Sequence, residues 1–111
     1  MNLVYIASPY RGDVENNVRM AKEYCAYAVK CGFIPICPHI YFTKFLSDAN
    51  ETERQRGINM GLQLLSLCSE MWLFGEVTAG MQQEIDEAKR LGIPFMHREW
   101  SDEQCISTLK I

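Results

Sequence analysis

Residues Glu70 to His97 read EMWLFGEVTAGMQQEIDEAKRLGIPFMH. The opening EMWLFG has apolar residues at successive positions, as a strand buried on both faces requires, so it belongs inside a sheet and not at its edge. A helix follows from about Ala79 to Leu91, with Met81, Ile85, Ala88 and Leu91 recurring at helical spacing, and Gly92 stands where a helix is commonly closed. IPFMH then returns as a second strand. Strand, helix and strand at this spacing make a parallel crossover unit. One residue breaks the apolar stripe of the helix. Glu84 lies three after Met81 and four before Ala88, on the side that faces the core.

Upstream, the same alternation repeats. Asn2 to Ala7 is a continuous apolar run ended by Pro9 and Gly12 in SPYRGD. Asp13 is placed to cap a helix whose inner positions are Val14, Val18, Ala21, Cys25 and Ala28, with Gly32 just past its end. Phe33 to Cys37 is a strand that Pro35 assigns to a sheet edge. Pro38 to Asn50 reads as a loop with a helical turn near Tyr41 to Leu46. Asn50 with Glu53 resembles a capping box for a helix running to about Leu67, with Ile58, Leu62 and Leu65 inward. Gly57 and Gly61 give that helix a smooth face suited to close packing, which makes a homodimer plausible. The tail from Ser101 predicts a short last helix. The βαβαβαβ order, with the second strand at an edge, gives a four-stranded parallel sheet in the order 2-1-3-4 flanked by helices. Ligands bind such sheets beyond the carboxyl ends of the strands, where the chain reverses direction.

The chain has 111 residues, 48% apolar and 23% charged, with net charge −3. That fits one domain over residues 1–111 with a single core. The acidic balance argues against a nucleic-acid polymer as partner. No run approaches the roughly 20 apolar residues of a membrane span, and the N-terminus reads as a strand and not a signal peptide, so a cytoplasmic protein is expected. The five cysteines are scattered without a C-x-x-C pair, which indicates reduced thiols and no zinc site. Cys37 and His39 could ligate a metal in principle; no metal or other cofactor is assigned.

Four loops leave the carboxyl ends of the strands. The first carries Ser8, Tyr10, Arg11 and Gly12, the second His39, the third Glu76, Thr78 and Gly80 leading through Met81 to Glu84, and the fourth His97 and Arg98. Glu84, near a helix N-terminus that favours its ionised form, could attack an electrophilic carbon; it could equally pair with a buried arginine or cap backbone amides. Thr78 and Gly80 could hold an anion, or Thr78 could simply cap the helix. Arg11 could clamp a phosphate or be solvated. His39 could move a proton or be structural. Tyr5, inside the first strand, could be a core residue whose hydroxyl needs a partner. The glycines lack the spacing of a dinucleotide or P-loop motif.

YIASPYRGD, IPICPHIYF, LCSEMWLFG and GMQQEIDEAKRLGIP together resemble the nucleoside 2-deoxyribosyltransferase superfamily, which includes the deoxynucleoside-monophosphate N-glycosidases. They look closest to a small bacterial and prophage branch of it. The resemblance runs from Leu3 to about Phe95. It implies a flavodoxin-like three-layer sandwich and cleavage of the N-glycosidic bond of a nucleoside or nucleoside 5′-monophosphate, by hydrolysis or transfer. By motif, Glu84 matches the nucleophile that attacks C1′, Tyr5 the tyrosine that positions it, and Arg11 the first-loop arginine of nucleotide-using members. Thr78 matches the small hydroxyl those members place near the 5′-phosphate. One departure stands out: Leu62 occupies the position of the aspartate that protonates the leaving base, with His39 or Glu76 as possible substitutes. A non-catalytic nucleotide sensor, and a partner-binding module presenting Tyr41, Phe42 and Phe45, are the other readings these residues allow.

Overall fold

The computed structural model describes residues 2–99. Its elements are β1 (Leu3–Ala7), α1 (Val14–Lys30), β2 (Ile34–Ile36), α2 (Pro38–Phe42), α3 (Glu51–Leu65), β3 (Glu70–Leu73), α4 (Ala79–Leu91) and β4 (Phe95–His97). The strands pair in parallel as one sheet in the order β2-β1-β3-β4. Pro35 lies on the edge strand, where its missing N–H is tolerated.

Side chains alternate across the two inner strands and so divide the core in two. Val4, Ile6, Trp72 and Phe74 face α1, packing with Tyr27, Ala28 and Cys31. Tyr5, Ala7, Met71 and Leu73 face the other way, against Leu65 of α3 and Met81, Ile85 and Ala88 of α4. Each large apolar side chain so buried contributes roughly 1.5–3 kcal/mol. The result is the three-layer α/β sandwich, and its strand parity points Tyr5 at α3 and α4.

Local chemistry sets the helix ends. Asp13 accepts from the Asn16 N–H at 3.3 Å and Thr78 from the Met81 N–H at 3.2 Å, each capping its helix. Gly92 ends α4 in the left-handed conformation. Asn50 accepts from the Glu53 N–H at 3.1 Å, but the capping box is not reciprocal: the Glu53 carboxylate accepts from the Ser47 N–H instead.

Several expectations need correction. The helix expected near Tyr41 to Leu46 starts earlier, at Pro38, because proline is well placed at a first helical position. Helix α3 stops at Leu65, leaving Leu67 exposed. Gly61 packs against Tyr5 and Pro38, and Gly57 against Leu46, so the smooth side is used within the chain. The expected helix from Ser101 lies outside the described residues. Among the described residues, no helix is long and apolar enough to cross a membrane.

Candidate active site

Beyond the carboxyl ends of β1, β2 and β3 lies a cavity of about 410 Å³. From β1 and its loop come Tyr5, Ser8, Tyr10 and Arg11; from α2 comes His39. The start of α4 adds Thr78, Gly80 and Met81, and Glu84 one turn further in. Gly12 does not line the cavity; its backbone, at φ 101°, makes the turn into α1, where an L side chain would be strained. The fourth loop is not part of the site either. His97 is exposed, and Arg98 turns to the opposite face of the sheet, its guanidinium 3.9 Å from the Trp72 ring and donating to the Tyr27 hydroxyl at 2.9 Å. Glu76 is exposed and does not line the cavity, so it does not stand where Leu62 does.

Glu84 is half-buried because its carboxyl opens onto the cavity. The Tyr5 hydroxyl donates to it at 2.5 Å. Among the described residues, no lysine or arginine pairs with it. Desolvation raises its pKa to about 7, against which the Tyr5 hydrogen bond lowers it. The helix dipole does not hold the group ionised as the sequence suggested. Glu84 sits in the second turn of α4, and the dipole's effect fades within the first. Tyr5 itself is held well above the usual phenol range, first by burial and then by the adjacent carboxylate, so it remains a donor.

His39 touches the Cys37 thiol, with Nε2 and Sγ 3.7 Å apart, and its ring lies 5.4 Å from that of Tyr10. Burial lowers its pKa to about 4. At neutral pH the imidazole is uncharged, able to form hydrogen bonds but not to act as a cationic acid. The Ser8 hydroxyl is buried without a hydrogen-bond partner among the described residues. Leaving such a group unpaired costs about 1–3 kcal/mol, which a ligand in the cavity could relieve.

At the rim, Arg11 donates to Asp48 at 3.0 Å, and Arg54 approaches the same carboxylate at 3.6 Å. Arg11 remains largely exposed, and a phosphate reaching it would compete with Asp48. Asp48 and Arg54 also line the cavity and were missed from the sequence. Arg54 had a visible signal: Arg54, Ile58, Gly61 and Leu65 follow one another at helical spacing on the inward side of α3. Asp48 had none, since its place depends on a loop without periodicity. On the same wall, Ile58 and Leu62 present only carbon to the cavity.

The fold is of the 2-deoxyribosyltransferase kind. It superposes on a 2-deoxyribosyltransferase from the psychrotolerant bacterium Bacillus psychrosaccharolyticus with a TM-score of 0.69, covering 96% of this chain and 81% of that one. Sequence identity is 13%, so the likeness is one of fold. The chain belongs to the family described as a domain of unknown function, DUF7768, whose model matches residues 2–98. No curated protein matches the sequence.

Proposed function

We propose that the protein cleaves the N-glycosidic bond of a nucleoside or nucleoside 5′-monophosphate, with Glu84 as nucleophile. The observation that carries this reading is the Glu84 carboxyl itself, facing a cavity of nucleoside size, free of any cationic partner among the described residues and oriented by Tyr5. The shared 2-deoxyribosyltransferase fold supports it. Attack on C1′ forms a glycosyl ester as the base departs, and water or a second base then resolves the ester, as in retaining glycosidases. Ser8 and Thr78 supply hydroxyls, and Tyr10 an aromatic ring, for holding the sugar and base. Arg11, Arg54 and the start of α4 at Gly80 and Met81 are the groups available to a phosphate. The reaction needs no metal or redox cofactor.

A second reading, a nucleotide sensor without catalysis, is favoured by Leu62, which puts a hydrocarbon where a proton donor would serve. The discriminating experiment incubates the protein, and its Glu84→Ala variant beside it, with a panel of ribo- and deoxynucleosides with and without 5′-phosphate. Products are separated by chromatography. Free base from the wild type alone is the expected result. Tight nucleotide binding without base release from any substrate would select the sensor.

A further inference from the structure

Besides the hydroxyls of Ser8, Tyr10, Thr43, Ser47 and Thr78, the carboxyl and imidazole groups that line the cavity are few and mostly engaged. Asp48 is engaged by Arg11 and Arg54. Glu53 accepts from the Ser47 backbone. Tyr5 donates to Glu84. His39 is neutral near pH 7. Across the cavity, Ile58 and Leu62 are hydrocarbon. A neutral purine or pyrimidine leaves C1′ slowly unless it is protonated as it goes, and general acids typically contribute 10²–10⁴-fold to such departures. A base that already carries a positive charge needs no proton.

The cavity's electrostatics point the same way. Its charged lining groups are Glu84, Glu53 and Asp48 against Arg11 and Arg54, and both arginines are drawn to Asp48. An ionised Glu84 then leaves the deeper part of the cavity with an unbalanced negative charge. Tyr10 and Phe42 bring aromatic rings to the same cavity, and ring faces attract cations at about 0.5–2 kcal/mol each.

Resting on the N-glycosidase reading above, we infer that the substrates of this site are nucleosides whose base is a cationic heteroaromatic ring joined to C1′ through its charged π-system, such as an N-alkylated purinium or a pyridinium. In the first step a Glu84 oxygen bonds to C1′, the C1′–N bond breaks, and its electron pair neutralises the ring. The base departs uncharged with no proton transferred. In the second step water bonds to C1′, the ester C1′–O bond breaks, and its electron pair returns to Glu84. One proton is released to solvent per turnover. The substrate's charge also favours the ionised Glu84 that must attack, so binding prepares the nucleophile. A neutral substrate provides neither effect.

The test compares matched pairs. Base release is measured for 7-methylguanosine against guanosine and for nicotinamide riboside, each with and without 5′-phosphate. Every rate is divided by the uncatalysed rate under the same conditions, because cationic nucleosides also hydrolyse faster unaided. Glu84→Gln is run in parallel, with its fold checked by circular dichroism. The expected result is an acceleration at least about 100-fold greater for the cationic members, lost in Glu84→Gln, the low end of what a missing acid withholds from neutral substrates. Equal or greater acceleration for guanosine would overturn the inference and leave the N-glycosidase reading standing. No base from either class would overturn both.

Discussion

The Tyr5 hydroxyl reaches Glu84 across a surface that Gly61 keeps bare. A Cβ on Gly61 would lie 3.3 Å from the Tyr5 oxygen and 3.5 Å from Pro38. That is tight enough to force the hydroxyl aside by a few tenths of an ångström. Glycine costs a helix interior about 0.5–1 kcal/mol, so Gly61 is retained at an energetic disadvantage to α3. Gly61→Ala is expected to leave the thermal midpoint within a few degrees, the gain in helix propensity offsetting the crowding. It should lower kcat/KM for base release by about tenfold, since ångström-scale misplacement near a reacting group can cost 100-fold. Parallel melting curves and initial rates check this.

Removing the hydroxyl altogether acts on the nucleophile's ionisation. Burial holds the Glu84 pKa at about 7, and the Tyr5 hydrogen bond is what opposes the rise. Tyr5→Phe therefore raises it further. If the carboxylate is the attacking form, kcat/KM climbs with pH through about 7 in the wild type, and the climb moves to higher pH in Tyr5→Phe. A pH–rate profile that falls with rising pH over this range would contradict the assignment of Glu84 as nucleophile.

Two side chains of the cavity pull stability in opposite directions with pH. The Glu84 pKa is raised from 4.5 to about 7, so the folded state binds its proton more tightly, and the resulting stability is full below 4.5 and lost as pH rises towards 7. The His39 pKa is lowered from 6.5 to about 4, so the unfolded state binds its proton more tightly, and stability is lost as pH falls from 6.5 towards 4. Each is worth roughly 3 kcal/mol at most. Between about pH 4.5 and 6.5 the two slopes cancel. Urea unfolding across that range should show stability rising with pH in Glu84→Gln and falling with pH in His39→Asn.

Asp48 holds Arg11 and Arg54 together at the rim. A phosphate arriving there must compete with it. Asp48→Asn removes the competing charge and is expected to lower KM for 5′-monophosphates several-fold while leaving that for unphosphorylated nucleosides nearly unchanged. The ratio of the two KM values is the readout, and it should shrink again as salt is added.

Leu62→Asp introduces a carboxyl on the carbon wall facing the cavity. It should raise base release from neutral nucleosides relative to cationic ones by about 10²-fold or more, the ordinary contribution of a general acid. It should also cost stability, because burying a polar group without partners is unfavourable. The rate ratio, taken within one preparation, separates the two effects.

What could be read from the sequence followed periodicity. The two central strands are apolar on both faces, so MWLF and VYIA identified the inside of the sheet, and Pro35 identified its edge; together these gave the strand order observed. The 3.6-residue repeat of α4 singled out Glu84 as the polar residue on an inward face, and strand parity directs Tyr5 to the same layer. Features that depend on long-range packing were hidden. The ionisation of Glu84 is governed by how many atoms surround it, which the helix position alone does not reveal. Asp48 reaches Arg11 through a loop whose path no local pattern encodes. Gly57 and Gly61 advertised close packing but not with what, and Tyr5, Pro38 and Leu46 of the same chain supply the answer.

The hydrogen bond from Tyr5 to Glu84 joins residues 79 apart in sequence. Its donor comes from β1 and its acceptor from α4, with α3 packed beside both. The βαβ unit from Glu70 to His97 contains Glu84 but not Tyr5, and the first half of the chain contains Tyr5 but not Glu84. Contacts of such high sequence separation form late, after the entropy of closing the intervening loop has been overcome. Chemical competence is thus a property of the finished topology, and the exchange protection of the amides beside Tyr5 is expected to follow the global unfolding free energy of the protein more closely than any local opening.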